Sequence, residues 1–265
     1  MNRTMRKTDF LEPTFRAAAD AVQETQRMLN ARGLEYTHWC GQLGDAHLET
    51  TKLNKGPKYE PLEWAYDDAR IPWYTLWEYS SVLVATDLLN LELKPKRVLS
   101  LGGSASSMEA TIARFGHHVE VIDRRRNMLE HAKANAKQMG WDMTFQHADL
   151  KDIDRVLQAG NAVPFDVVVS VSVLFLAGGD AREAVREDLQ HHVRPGGIAA
   201  ITFDFVNPNP ERYIDDPEAQ LSFQGFQRVG APFYDRGDRH HLYYPDESKG
   251  HYTAGCLVQQ RQTAQ

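Results

Sequence analysis

Residues 97–205 read as a doubly wound α/β sheet, and three observations predict it. Strand-like and helix-like stretches alternate without interruption from Arg97 to Phe205. One strand, FDVVVSVSV (Phe165 to Val173), is almost uniformly β-branched, the pattern of a strand buried on both faces of a parallel sheet. Two glycines, Gly102 and Gly103, stand where the first strand gives way to the first helix. Alternation of this kind marks parallel strands joined by crossover helices.

Upstream of the sheet, residues 13–31 have the apolar spacing of an amphipathic helix. Residues 33–60 mix glycine, proline and polar groups with Tyr36, Trp39 and Tyr59 and read as irregular, and 73–91 read as a second helix. Pro95 breaks the helical pattern between Leu91 and Arg97. The chain is therefore divided into an N-terminal helical and aromatic cap, residues 1–94, and an α/β unit, residues 95–265. Within that unit, strand 97–101 leads into a helix over 107–115. Ser106 with Glu109 fits the S-x-x-E capping box at the entry of this helix. His117 to Asp123 is the second strand, followed by a helix from Asn127 to Met139 that Gly140 ends. Met143 to Asp149 is a third strand, with a short helix through Val156 and Leu157 after it. Beyond 165–173, Ala181, Val185 and Leu189 mark a helix, and RPGG turns the chain into the strand Ile198 to Phe205.

Composition sets outer bounds on function. The 265 residues are 42% hydrophobic and 25% charged, ordinary for a globular protein. No apolar run approaches the ~18 residues of a membrane span. The basic start MNRTMRKTDFLEP lacks the apolar stretch of a secretory leader. A net charge of −6 disfavours a broad phosphate-binding surface, so no nucleic-acid partner is expected. Cys40 and Cys256 lie far apart with no C-x-x-C spacing and read as free thiols of a reducing, cytoplasmic compartment. No metal-ligand spacing such as H-E-x-x-H is present.

In a doubly wound sheet the ligand sits beyond the carboxyl ends of the strands, near the switch in strand order. That singles out Gly102, Gly103 and Ser104, Asp123, Asp149, Ser172 and Asp204. The glycines keep side chains from between backbone and ligand; without a ligand they simply make a tight turn. Asp123 is suited to accept hydrogen bonds from two ribose hydroxyls, or else is an ordinary strand-end aspartate. Asp149 can accept from an adenine amino group while Leu150 packs on the base; taken alone, it caps the next helix. The loop lacks the later glycines that a pyrophosphate requires. An adenosyl cofactor without phosphates, S-adenosylmethionine, therefore fits better than a dinucleotide. Arg124, Arg125 and Arg126 follow Asp123 directly and could hold a 2′-phosphate, but Asp123 would repel one.

From about Asp67 onward the chain resembles the class I S-adenosylmethionine-dependent methyltransferases, a Rossmann-like superfamily with a seven-stranded sheet. VLSLGGSAS corresponds to its glycine-rich motif, VEVID to its acidic second-strand motif and HADL to its third-strand motif. HHVRPGGIAAITFDF resembles its turn and fifth strand, and HYTAGCLVQQR its closing strand. The resemblance of RIPWYTLWEY to a pre-motif segment implies that Arg70 pairs with the cofactor carboxylate and Trp73 lines the pocket. The chain departs from the pattern in three places. Ser100 replaces the usual acid two before the first glycine, Ser104 and Ser106 replace later glycines, and Phe175-Leu176 replaces a common Glu-His.

The implied function is methyl transfer from S-adenosylmethionine to a small organic acceptor. Proximity and alignment supply much of the acceleration, and a base is needed only for an acceptor that must lose a proton. Asp204, His38 and His47 are the candidate bases. Acceptor recognition is expected from residues 33–80, with Tyr36, Trp39, Trp64, Tyr66 and Tyr74 as a lid, and from 206–250. The alternatives are a protein or RNA methyltransferase and a non-catalytic Rossmann-like binding module.

Overall fold

A computed structural model describes residues 2–37, 73–92, 94–159, 163–205, 214, 216–235, 237–238 and 253–263. Its strands are β1 (Arg3–Thr4), β2 (Arg97–Leu101), β3 (His118–Asp123), β4 (Met143–His147), β5 (Phe165–Ser170), β6 (Val193–Phe205), β7 (Phe226–Arg228) and β8 (Thr253–Arg261). Its helices are α1 (Pro13–Ala31), α2 (Trp73–Thr86), α3 (Ser107–Arg114), α4 (Arg126–Met139), α5 (Ile153–Ala159), α6 (Gly179–Asp188) and α7 (Pro217–Leu221).

The strands form one eight-stranded sheet in the order β1-β8-β6-β5-β2-β3-β4, with β7 also paired to β8. Strands β4, β3, β2, β5 and β6 run parallel, whereas β8 is antiparallel to β6. The order reverses direction between β2 and β5, which creates the switch point. Among the described residues the sheet has six longer strands, β2 to β6 and β8, where seven were expected, and two short strands, β1 and β7, that pair with different stretches of β8.

Both faces of the sheet are covered, as the unbroken apolar strands require. Val98, Val121, Val167 and Val169 point into a core shared with α1, α2, α3 and α4, including Phe15, Trp77 and Met108. Leu99, Leu101, Ile122 and Val168 point to the other face and meet Ile153, Val185 and Leu189. Helix α1 buries one stripe (Phe15, Ala18, Ala19, Val22 and Leu29), whereas α2 is buried nearly all round.

Four expected boundaries shift. Helix α2 stops at Thr86, not at residue 91, because Asp87 takes a left-handed backbone (φ 53°). Strand β5 ends at Ser170, three residues before Val173, since Ser172 is also left-handed (φ 52°). The third strand ends at His147, which leaves Asp149 outside it. RPGG lies within β6, whose pairing with β5 shifts register between Phe165 and Val167. Among the described residues no helix is long and apolar enough to cross a membrane.

Candidate functional site

The turn after β2 sits at the switch point and is built from inside the protein. Gly102 has φ 76°, and a Cβ there would come within 2.5 Å of the Val173 side chain. At Gly103 a Cβ would run into the Glu109 carboxylate. Packing against Val173 and Glu109 therefore already demands glycine at both positions. Ala105 is left-handed (φ 61°), and its carbonyl accepts from the Thr37 N–H at 2.8 Å, so the chain after α1 is tied to the turn.

Ser106 caps α3 as expected, its Oγ accepting from the Met108 N–H at 3.1 Å. The reciprocal half of the capping box is absent. The Ser106 N–H goes to the Gly103 carbonyl, and the Glu109 carboxylate instead accepts from the hydroxyls of Ser106 and Ser100, the latter at 2.7 Å. Glu109 is 2% exposed. Burial pushes its carboxyl up to about 7 against the opposing effect of both hydroxyls, with the Asp123 charge adding to the rise.

Asp123 ends β3 beside this turn and is 4% exposed. Its Oδ1 accepts from the Arg125 N–H at 2.8 Å and Nε at 3.1 Å, and its Oδ2 from Arg125 Nη2 at 2.8 Å and Ser104 Oγ at 2.6 Å. Burial alone would raise this carboxyl. The bonds from Arg125 and Ser104, with the guanidinium charge, outweigh it and hold the group below the usual carboxylate range. Arg124 is exposed at the start of the next turn.

The remaining candidates are scattered around this edge. Asp149 caps a short 3-10 helix through the Lys151 N–H at 3.2 Å, and Leu150 is buried in the core of the second sheet face. Trp73 is nearly buried at the start of α2, with Lys7 Nζ 5.1 Å from its ring centre. Tyr36 and Tyr74 are core side chains rather than an exposed lid. Asp204 is half-buried near the end of β6. Arg70, His38, His47, Trp39, Trp64 and Tyr66 lie outside the described residues, as do 206–213, 215, 236 and 239–250.

The structure gives Arg125 and Glu109, named from the sequence for other roles, a place in the site, and adds Glu78. Arg125 occupies both oxygens of Asp123. Glu109 sits under the glycine turn. Glu78, on α2, accepts from Thr202 Oγ1 at 2.8 Å and from the Ser172 hydroxyl, and the Ser172 N–H donates to Thr202 Oγ1 at 3.1 Å. A signal for Glu78 was available: it is the only charged residue in α2. Among the described residues no group of acidic, histidine or cysteine side chains could hold a metal.

Residues 98–197 match the family model described as a methyltransferase domain. The match takes in the glycine turn at the switch and the acid ending β3, and it spans strands β3, β4 and β5 whole. The particular relatives are more distant. The tRNA 5-carboxymethoxyuridine methyltransferases of Escherichia coli K12 and O157:H7 are each 31% identical over 121 residues, 44% of this chain. The chain matches only 44% of their length. Among solved structures, TehB from Haemophilus influenzae is similar in fold, with a TM-score of 0.50 and 14% identity over 66% of this chain and 62% of that one.

Proposed function

We propose that this chain is an S-adenosylmethionine-dependent methyltransferase that transfers the methyl group in line to a small organic acceptor. The observation that carries the reading is the Asp123 carboxylate, buried and held ionised beside the glycine turn of a methyltransferase domain. Its chemistry fits the cofactor, because an ionised, desolvated carboxylate is a strong acceptor for paired ribose hydroxyls. When bound, S-adenosylmethionine supplies a methyl carbon already activated by its sulfonium.

Asp123 already accepts two hydrogen bonds on each oxygen. A carboxylate has room for about four, so ribose binding requires the Arg125 guanidinium to release at least one oxygen. In this reading Gly102, Gly103 and Ser104 present backbone to the cofactor, while Asp149 and Leu150 serve its adenine and Ser172 borders its site. Arg70 and Trp73 take the methionine end, and Arg124 stays at the solvent rim. The protein then aligns the acceptor at about 3 Å from the methyl group. Asp204, His38 or His47 takes a proton only where the acceptor carries one to lose.

The acidic balance of the chain favours a small acceptor over a polyanion. A second reading, an RNA acceptor, is favoured by the likeness to tRNA methyltransferases, which leaves the expectation of no nucleic-acid partner without support. Parallel calorimetric titration with S-adenosylmethionine, S-adenosylhomocysteine and NADPH tests the cofactor. Micromolar binding of the first two and none of NADPH is expected; silence from both adenosyl ligands overturns the proposal. Methyl transfer to total tRNA, with RNA retention that falls steeply with salt, would replace the small acceptor by RNA.

A further inference from the structure

The position two before the first glycine, acidic in the resembled family, is Ser100 here, yet the turn is not without an acid. The Ser100 hydroxyl donates at 2.7 Å to Oε1 of Glu109, which reaches back from the first turn of α3, and the Ser106 hydroxyl donates to its Oε2. Glu109 thus bonds both the strand before the glycine turn and the residue that ends it. A Cβ at Gly103 would strike the same carboxylate, so the turn lies directly upon it.

We propose that Glu109 is the positioning residue of the cofactor turn, its carboxylate replacing the acid missing at Ser100 and favouring the cationic methionine end of the ligand above. This rests on the cofactor reading given above. A carboxylate beneath the turn acts in two ways. It fixes the Ser100–Gly103–Ser106 backbone, and its charge attracts the ammonium and sulfonium groups through a poorly solvated path. Adenosine alone, which lacks both cations, receives only the first effect.

The surroundings make the charge titrate where it can be measured. Burial pushes the Glu109 carboxyl up to about 7, opposed by the Ser106 and Ser100 hydroxyls. Four described titratable groups act around it. Tyr79 from α2 is pushed upward by burial and by the Glu109 charge, and so stays neutral. Glu78, also on α2, reaches Tyr79 electrostatically and is held by Thr202 and Ser172. Asp123 from β3 is held below the usual range, and Arg125 remains charged. A cationic ligand favours ionised Glu109, so its affinity rises as pH climbs through about 7.

The test is calorimetric titration of the full chain with S-adenosylhomocysteine, S-adenosylmethionine and adenosine between pH 6 and 8. For the native protein, affinity for S-adenosylmethionine, which carries sulfonium and ammonium, is expected to rise about fivefold across this range, that for S-adenosylhomocysteine, which carries the ammonium alone, to rise less, and that for adenosine to stay flat. Glu109→Gln abolishes the rise and weakens S-adenosylmethionine about tenfold at pH 8, and S-adenosylhomocysteine by less. The double change Ser100→Asp with Glu109→Ser, which returns the acid to the strand, restores at least half of that loss. A native profile that is flat, or a Glu109→Gln profile identical to the native one, overturns the inference and leaves the methyltransferase reading standing. No binding of any adenosyl ligand to the native protein overturns both. Should Glu109→Gln fail to fold, the native pH profile decides by itself.

Discussion

Asp123 and Arg125 face each other across two positions of sequence, and the pair sets up opposite expectations for its two members. Asp123→Ala removes the charged acceptor proposed for the ribose, and is expected to weaken adenosyl-ligand binding by about 1.5–3 kcal/mol. Unchanged affinity in a titration would remove the ribose assignment. Arg125→Ala removes one of the two hydrogen bonds on each Asp123 oxygen and so a competitor, and binding is expected to tighten about three- to tenfold. Weaker binding would show that the guanidinium instead contacts the ligand. The sign of the pH effect on folding is also fixed at this scale. Asp123 is depressed in the fold, so its contribution is present above the unfolded carboxylate range and is lost as pH falls through the folded value. Glu109, raised from 4.5 to about 7, behaves oppositely. Its protonated form suits the fold, and stability erodes as pH rises through about 7. Neither partner of these carboxylates was legible in sequence. Three arginines in a row do not reveal which one folds back, and S-x-x-E describes an ordinary cap just as well as a buried hydroxyl-bound acid.

Elements were legible where one physical signal acted alone. Helix α1 follows the expected 13–31 because one apolar stripe and Pro13 at its first turn agree. Strand β2 and the Gly140 stop of α4, left-handed at φ 69°, follow for similarly local reasons. Boundaries failed where tertiary contacts override propensity. The β-branched run continues to Val173, but the chain leaves β5 at Ser170 so that Ser172 can reach Glu78 and Thr202. That cluster ties α2 to the carboxyl ends of β5 and β6. Glu78→Ala leaves the Ser172 and Thr202 hydroxyls without their shared acceptor in a largely buried setting. It is expected to destabilise the fold by about 2–3 kcal/mol, read as a lower urea midpoint at unchanged m-value. A shift within about 0.5 kcal/mol would mean that the hydroxyls find other partners.

At the scale of the whole molecule, the N-terminal residues close the sheet edge that the closing strand would otherwise expose. Arg3 and Thr4 pair antiparallel with Cys256 and Gly255 of β8, and the Met5 N–H donates to the Ala254 carbonyl at 2.8 Å. Asn2 fastens this edge. Its side-chain amide donates to the Val229 carbonyl at 2.5 Å and its Oδ1 accepts from the Val258 N–H at 2.6 Å, while the residue is 1% exposed. A strand edge left open is a template for association, so covering it contributes to solubility as well as stability. Two residues of strand carry no periodic signal, which is why the basic start of the chain gave no hint of this role. Asn2→Ala leaves the buried Val258 N–H without its partner and the carbonyl of exposed Val229 to water, and is expected to cost about 1–3 kcal/mol in urea unfolding. The cofactor turn follows β2, four strand spacings from β1 in the sheet order and so roughly 19 Å away across the sheet. Adenosyl-ligand affinity of the folded variant is therefore expected to match the native value within about twofold. Lower affinity with unchanged stability would reverse both halves of this expectation, and would mean that the N-terminal strand couples through α1 to the turn that Thr37 holds.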